Sequence, residues 1–386
     1  MILEVILETA GAIAVAYQVF AMVACIRFRS LTVAVQKRRA GGGSEALVLN
    51  RDRQEAVSIL KAVRGLDPGF RAAIESHTKL HGEYEVLCGV RSLEDPAVAV
   101  LREFPQVRVI ECRTVTPNQK VGVLMDLARA ARHSILVVND ADIRVEPDYL
   151  ERVTAPLADS QDGPRVGLVT CLYRPEGSTF AARFEGLGVS TEFAPSALVA
   201  RLMGVEEFAM GSTLAFRRAD LERIGGFEGI ADYLADDYQL GRKLHGLGLK
   251  CVLSDVIVAT HLGGTWRDVW THQVRWARTI RVSKFSGYLG LPVTFATVWA
   301  LILAIKADAC GGEWRVALAV LAARMLMALV SGWMVMRSRD VLRLWFLIPL
   351  RDLFGAAVWA AGLFGNTVVW RGQKLKLDKQ GRIVKR

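Results

Sequence analysis

No Gly-x-Gly-x-x-Gly follows the first apolar strand of this chain, which argues against a dinucleotide cofactor. Gly41-Gly-Gly43 lacks the Gly-Lys-Ser/Thr of a phosphate loop and reads as a flexible joint. The six cysteines, Cys25, Cys88, Cys112, Cys171, Cys251 and Cys310, share no metal-ligand spacing. Most sit inside apolar stretches, as packing residues of a reducing compartment do. No groove of basic residues interleaved with aromatics is present. The net charge of +10 gathers beside apolar runs, which points to anionic lipid headgroups and away from nucleic acid. The first apolar run also lacks a basic leader: Glu4 and Glu8 precede it, and Arg27, Arg29, Lys37, Arg38 and Arg39 follow. That order argues against a signal peptide and for a membrane anchor with its positive flank inside.

What is present is a chain of 386 residues, 52% hydrophobic, with mean hydropathy +0.27. It is too apolar for one soluble domain, yet its centre is ordinarily polar. Ala10 to Ile26 carries no charge and reads as the anchor. Leu289 to Ile305 and Val316 to Met336 are long enough to cross a bilayer, provided Arg324 finds a partner or snorkels. Between Val341 and Val369 the apolar stretch is cut by Arg351-Asp352, and a mid-span charge costs roughly 2.5 to 3.5 kcal/mol. That region reads as short re-entrant pieces. The last sixteen residues, Arg371 to Arg386, carry seven Lys or Arg and read as a basic cytosolic tail.

The expected organisation is an anchor over 1–28, a basic linker over 29–54, a cytosolic catalytic domain over 55–264 and an interfacial helix over 265–285. A transmembrane or re-entrant region over 286–370 and the tail over 371–386 complete it. Within 55–264, short apolar strands beginning at Val57, Val86, Val107, Ile135 and Val166 alternate with helical stretches. This predicts a Rossmann-like, mainly parallel sheet covered on both faces.

The most informative motif is Asp140-Ala-Asp142, directly after the apolar run Ile135-Leu-Val-Val138. Two carboxylates are thereby delivered to the carboxyl end of a buried strand, where open α/β sheets bind ligands. Hard cations there take oxygen ligands together with a substrate's phosphates. After the strand at Val86, Glu94-Asp95-Pro96 offers carboxylates to a base or ribose; helix capping before Pro96 is the equal alternative. Lys120 opens a helical stretch and offers a cation to phosphate, although a solvated lysine fits almost as well. Asp236-Asp237 opens another helix, where first-turn acids favour the macrodipole in any case. With Gly211-Ser212 upstream, the pair is also placed to be catalytic. His261 reads as a satisfied strand-end histidine before it reads as a ligand.

Thr265 to Val282 reads as an amphipathic helix on the membrane, with Trp266, Val269, Trp270, Gln273, Ala277 and Ile280 along one side. Arg278 and Arg281 on the other side are read as headgroup contacts, and Arg275-Trp276 as site residues. The segment Phe180 to Val205, with Phe184, Glu192, Phe193 and Arg201, is expected to line an acceptor, with Glu192 reaching a hydroxyl.

Taken in order, Leu60-Lys-Ala-Val-Arg-Gly-Leu-Asp67-Pro68, Tyr84-Glu-Val-Leu, Asp95-Pro-Ala, Val138-Asn-Asp140-Ala-Asp-Ile-Arg144-Val, Tyr233-Leu-Ala-Asp-Asp237-Tyr and Arg275-Trp276 resemble the membrane-bound ceramide glucosyltransferase family, family 21. The likeness covers roughly 59–280. Within the family the chain looks most like the bacterial branch associated with hopanoid biosynthesis. The resemblance implies a type-A glycosyltransferase fold with one N-terminal and two to four C-terminal membrane helices, in the bacterial inner membrane with its catalytic domain on the cytosolic side. It further implies inverting transfer from a UDP-sugar, UDP-N-acetylglucosamine or UDP-glucose, to a lipid hydroxyl, on bacteriohopanetetrol or alternatively ceramide.

By that resemblance Asp142 and Asp140 hold Mg2+ or Mn2+, and Asp237 is the general base. Glu94, Asp95, Lys120, Asp140, Arg275 and Trp276 bind the donor, while Asp236, His272, Trp276, Glu192 and Gly211 complete the acceptor side. Two departures stand out. Ser92 replaces a usual Asp in the first acidic motif, so the nucleotide contact falls to Glu94 or Asp95. His272 replaces the usual Gln or Arg of the Arg-Trp motif, which weakens a contact to acceptor or diphosphate and introduces a group that titrates near neutrality. A processive polysaccharide synthase shares these acidic motifs, but the few spans and the absence of Gln at 272 oppose it. A catalytically inert scaffold is opposed by the intact Asp140, Asp142, Asp237 and Arg275.

Overall fold

The computed structural model describes residues 2–41, 55–158, 164–306 and 313–384. Gly42, Gly43 and Cys310, noted above, lie outside the described residues. The chain divides into two compact units. One comprises Thr32–Tyr173, Val205–His261 and Gly381–Arg386; the other comprises Met1–Leu31, Arg174–Gly204 and Leu262–Gln380.

The first unit is built on a seven-stranded sheet of β1 (Val57–Ala62), β2 (Tyr84–Val90), β3 (Val107–Glu111), β4 (Ile135–Val138), β5 (Val166–Gly177), β6 (Leu214–Arg217) and β7 (Lys250–Leu262). Their order is β3-β2-β1-β4-β6-β5-β7. β1 lies between β2 and β4 with both pairings parallel, β2 and β3 are also parallel, and β6 runs antiparallel to β4 and β5. The chain moves outward from β1 to β3 and then returns to β4. That reversal leaves a crevice at the carboxyl ends of β1 and β4, where open α/β sheets place ligands.

The strands are apolar on both faces because helices cover both. Ile59, Cys88, Ile135 and Val137 pack with Phe70, Ile74 and Leu101, while Leu60, Leu87, Leu136 and Val138 pack with Val121, Leu124 and Leu127. This is the period-2 alternation of a strand doubly buried rather than half-exposed. The flanking helices begin where side chains satisfy open backbone donors. Asp95 caps Pro96–Leu101 through the Ala97 N–H, and Asn118 caps Gln119–Ala130 through the N–H groups of Lys120 and Val121. Gly69, at φ 76°, opens Phe70–His77, and a Cβ there would lie 2.9 Å from the side chain of His261. Only glycine meets both demands. The His261 side chain, near the end of β7, lies against that turn.

The second unit is helical. Within the long N-terminal helix Ile2–Gly41, residues Glu8–Val35 are apolar and long enough to cross a membrane, as are Trp314–Val335. The expected span over 289–305 is instead two pieces, Phe285–Thr294 and Ala296–Lys306, bent by 52°. Pro292 precedes the break, in the 3-10 turn Leu291–Thr294, and its carbonyl accepts from Phe295 N and Trp299 Nε1.

Arg351-Asp352 does not break the helix in which it lies. Both residues are buried within one helix, Ile348–Gly362. At 15 residues that helix is about 22 Å long, short of a hydrocarbon core of about 30 Å. Asp352 is the partner Arg324 requires: Arg324 Nε and Nη2 donate to its two oxygens at 2.9 and 2.6 Å, and Nη1 donates to the Thr191 carbonyl at 3.1 Å. The basic C-terminal stretch is also not a bare tail. Gln373-Lys-Leu-Lys-Leu377 alternates polar and apolar residues and pairs as β9 (Gln373–Leu377) antiparallel to β8 (Thr367–Trp370). Beyond it the chain rejoins the first unit, where β10 (Ile383–Val384) donates its Ile383 N–H to the Asp232 carbonyl at 2.7 Å.

Candidate active site

Five of the candidate residues, Lys120, Asp140, Gly211, Asp236 and Asp237, meet at the carboxyl end of β4. Lys120 Nζ lies 2.8 Å from Asp140 Oδ1 and 3.2 Å from Asp236 Oδ2, so one cation bridges two carboxylates brought from different loops. Burial opposes the charge on Lys120, but Asp140 and Asp236 outweigh it and push its pKa up. Gly211 ties the group together through its backbone. Its carbonyl accepts from the Asp140 N–H at 3.3 Å, and its N–H donates to Asp237 Oδ2 at 2.9 Å. A Cβ at 211 would lie 3.0 Å from Asp140 Oδ2 and 3.5 Å from both Asp237 Oδ2 and Lys120 Nζ, which places these groups around one small space.

Asp237 sits in the first turn of the helix Asp236–Gly246, its Oδ1 accepting from the Tyr238 N–H at 2.7 Å. Burial pushes its pKa up to about 6, Asp236 adds to the rise, and Lys120 opposes it. A carboxylate tuned toward neutrality and fixed by two backbone donors has the properties of a general base.

Asp142 is held differently. The loop after β4 bridges to β7, with Arg144 and Ala259 exchanging backbone hydrogen bonds of 2.8 and 3.0 Å, and this brings the Thr260 hydroxyl to donate to Asp142 Oδ2. Burial and the neighbouring Asp140 raise the Asp142 pKa. Among the described residues no three His, Cys, Asp or Glu converge as a metal cage. A donor set of one or two carboxylates fits Mg2+ or Mn2+ nonetheless, because such ions keep several waters and take other ligands from substrate phosphates. Asp140 has the openness that role needs, with 44% of its side chain exposed.

Three supporting groups escaped the sequence reading. Lys61 is fully buried in β1, with Nζ donating to the Asp140 carbonyl at 2.9 Å, and burial lowers its pKa to about 8. Asn139 Nδ2 donates to the Ser212 carbonyl at 2.7 Å and to the Tyr149 hydroxyl at 2.9 Å. Buried His77 stands 3.3 Å from Asn139 Oδ1. Together they fix the loop that carries Asp140. A lysine inside an apolar strand is the one signal that was available.

Glu94 and Asp95 part company. Asp95 spends its carboxylate on the backbone, accepting from the Gly65 N–H at 3.0 Å and the Ala97 N–H at 2.9 Å. Ser92 also spends its hydroxyl on the backbone, accepting from the Glu94 N–H at 3.1 Å. Glu94 is the exposed carboxylate of a cleft of about 430 Å3 that Arg64, Arg91, Ser92, Asp95 and Gln119 also line.

The remaining candidates belong to the helical unit. Trp266–Ser283 forms one helix, opened by a reciprocal cap between Thr265 and Asp268. Its tryptophans meet aromatic edges: Trp266 lies 5.2 Å from Phe184 and Trp270 5.6 Å from Phe354. His272 Nδ1 is 2.6 Å from Glu185 Oε1, which also accepts from Gln273 Nε2 at 2.8 Å. Burial raises the Glu185 pKa, but His272, Gln273 and Arg351 together hold it below its usual value. His272 therefore has a carboxylate partner within its own unit. Trp276 packs against His272 at 4.6 Å and Phe193 at 6.2 Å, and Arg275 lies one residue before it.

Glu192 stands 3.5 Å from Arg351, among buried groups. Arg278 and Arg281, read above as headgroup contacts, also serve the fold. Arg278 donates to the carbonyls of Phe364 and Thr367, and Arg281 to those of Leu363 and Gly365, closing the C-terminal end of Ile348–Gly362.

The chain belongs to glycosyl transferase family 21, whose model matches residues 15–383. It is therefore a glycosyltransferase. It is 24% identical over 345 residues to ceramide glucosyltransferase 1 of Caenorhabditis elegans, covering 85% of this chain and 72% of that protein. It is 28% identical over 208 residues to ceramide glucosyltransferase 3 of the same organism, covering 51% of this chain and 44% of that protein. Among solved structures it is similar to a mannosyltransferase from Pyrobaculum calidifontis in complex with GDP-Man and Mn2+, with TM-score 0.46 and 17% identity, covering 92% of this chain and 97% of that one. A glucosyl-3-phosphoglycerate synthase from Mycobacterium tuberculosis in complex with Mg2+ and uridine diphosphate matches with TM-score 0.38 and 17% identity, covering 60% and 80%.

Proposed function

We propose that this glycosyltransferase moves a sugar from a UDP-sugar to a hydroxyl of a membrane lipid, with inversion at the anomeric carbon. The observation that carries the reading is Asp237, a carboxylate raised toward neutral pKa, 2.9 Å from the Gly211 N–H, across one small space from Asp140 and Lys120. Asp237 takes the proton of the acceptor hydroxyl, and the hydroxyl oxygen forms the new bond to the anomeric carbon. The bond from that carbon to the diphosphate oxygen breaks on the opposite side, and UDP leaves with the electron pair. An α-linked donor thus gives a β-linked product.

Asp142 and Asp140 would hold a Mg2+ or Mn2+ ion, whose chemistry is to neutralise charge on the departing diphosphate. Lys120 keeps Asp140 and Asp236 in place and contributes a fixed positive charge beside them. Glu94, exposed on its cleft, is the carboxylate we assign to the donor nucleotide. Arg275 and Trp276 are assigned to the diphosphate and the acceptor.

The names of the relatives support a lipid acceptor, and the helices Glu8–Val35 and Trp314–Val335, each long and apolar enough to cross a membrane, suit one that stays in the bilayer. Within that class we favour bacteriohopanetetrol, taking N-acetylglucosamine or glucose in the bacterial inner membrane on its cytosolic side, over ceramide. The test is mass spectrometry of total lipids from a host supplying both acceptors and expressing either the natural chain or Asp237→Asn. A hexosamine-bearing hopanoid made only by the natural chain is expected. Hexosylceramide would move the acceptor to sphingolipid, and a new polymer with unchanged lipids would overturn the lipid reading.

A further inference from the structure

The helical unit has a second charged cleft that the proposed reaction does not use. Its volume is about 460 Å3, and four arginines line it, Arg174, Arg183, Arg337 and Arg339, against two acids, Glu176 and Asp340. Glu176 is partly matched within the cleft, at 3.6 Å from Arg174. The lining carries two more positive than negative charges. Arg183, Arg337 and Arg339 are each exposed, and Arg183 also donates its Nε to the Gly177 carbonyl at 3.3 Å.

The position of the cleft along the chain indicates what it meets. Arg337 and Arg339 come immediately after Trp314–Val335, one of the segments long and apolar enough to cross a membrane, so they stand where that span reaches the headgroup layer. Arg337 ends the helix in the left-handed conformation, at φ 52°, just before Ser338, whose N–H reaches back to the Gly332 carbonyl at 2.9 Å. Helices favour glycine at such a residue, because a Cβ is disfavoured there. Arginine at that position gives up backbone ease and supplies a guanidinium in return. Planar guanidiniums match phosphate oxygens in bidentate geometry, which is why clusters of them recognise phosphate.

We propose that this cleft binds the phosphate of an anionic phospholipid headgroup, with Arg183 and Arg337 as its principal donors. The cleft shares no residue with the acidic group assigned to catalysis, so it would serve to seat the helical unit in an anionic leaflet rather than to react. Juxtamembrane arginines draw anionic lipid in proportion to their number.

The test uses the full chain, stripped of lipid in a neutral detergent and titrated with short-chain phosphatidylglycerol, with phosphatidylcholine and inorganic phosphate in parallel. Occupancy is read by native mass spectrometry. Selective retention of phosphatidylglycerol is expected, weakened about fivefold for each arginine removed in Arg183→Ala and Arg337→Gly. Arg337→Gly removes the guanidinium while easing the backbone, so a folding defect would not be confused with a binding defect. Arg267→Ala, which removes an arginine outside the cleft, should leave retention unchanged. Equal retention of phosphatidylcholine, displacement of the lipid by inorganic phosphate, or unaltered retention in both cleft variants would overturn the proposal. None of these outcomes depends on the sugar donor or acceptor.

Discussion

In the α/β unit Lys120 joins Asp140 and Asp236 at 2.8 and 3.2 Å, yet Asp140 leaves 44% of its side chain open to solvent. In the helical unit Arg324 joins Asp352 at 2.6 Å, with side chains 1% and 2% exposed. Both are cation–carboxylate groups in apolar surroundings, but their remaining valences differ. Arg324 also satisfies Thr191, and Asp352 also accepts from Thr297, so that pair is closed within the protein. Around Gly211 the carboxylates of Asp140 and Asp237 face one space with oxygen valence left over. The closed pair holds helices together, whereas the open group has capacity to bind and to move a proton.

That contrast makes its largest prediction at Asp237. Asp237→Asn keeps the size of the side chain and an oxygen for one backbone donor but loses the base. Transfer should fall about 100- to 10,000-fold. Binding of the UDP-sugar, read by calorimetry, should persist; wild-type turnover in the variant would refute the assignment. The same carboxylate sets a pH profile. A base must be deprotonated to act, and the Asp237 pKa is raised to about 6, so kcat/KM should rise with pH through that region and level above it. A flat profile from pH 5 to pH 7 would mean that this group does not limit the reaction.

The opposite effect is expected from the closed pair. Asp352→Asn leaves Arg324 buried with an uncompensated charge, and breaking such a pair costs about 3 to 5 kcal/mol. The variant should unfold at markedly lower temperature in detergent, while any protein that remains folded should turn over at close to the natural rate. Loss of turnover without loss of stability would place Asp352 on the open side of the comparison.

Gly211→Ala probes the small space itself. Its Cβ would stand 3.0 Å from Asp140 Oδ2, a contact only a shift of that carboxylate relieves. Because small displacements of reacting groups carry large kinetic penalties, turnover should fall about 10- to 100-fold with little change in melting temperature. Natural turnover would show that the three side chains do not act through this space.

The contrast also explains what was legible in the sequence. Asp140-Ala-Asp142 could be placed because Ile135 to Val138 is apolar at every position, so a doubly buried strand must end where the acids begin. Asp236-Asp237 could be placed because the helix after them is plainly periodic. Lys61, His77 and Thr260 could not, since each reaches Asp140, Asp142 or their loop from another strand or helix, and sequence spacing holds no record of such pairings. Arg351-Asp352 misled for the same reason. A charge in an apolar run reads as a break until its partner is known, and Arg324 lies 28 residues from Asp352. The lysines of the C-terminal stretch hid a strand, because counting charge passes over the alternation in Gln373 to Leu377.

The smallest effect separates Asp95 from Glu94, adjacent acids in one motif. Asp95 is closed, with its carboxylate accepting from Gly65 and Ala97 at the start of a helix. Asp95→Ala should therefore cost about 1 kcal/mol of stability, the usual loss of an N-cap, and alter the donor KM only slightly. Glu94 is exposed on its cleft, so Glu94→Gln should leave stability unchanged and raise the KM for the UDP-sugar severalfold, about the effect of one hydrogen bond to an ionised group. The two variants form a matched pair, measured by thermal melting and donor titration. If Asp95→Ala instead raised KM while keeping the melting temperature, the carboxylate that caps the helix would also be the one that reads the nucleotide, and openness in the free enzyme would not predict which acids bind.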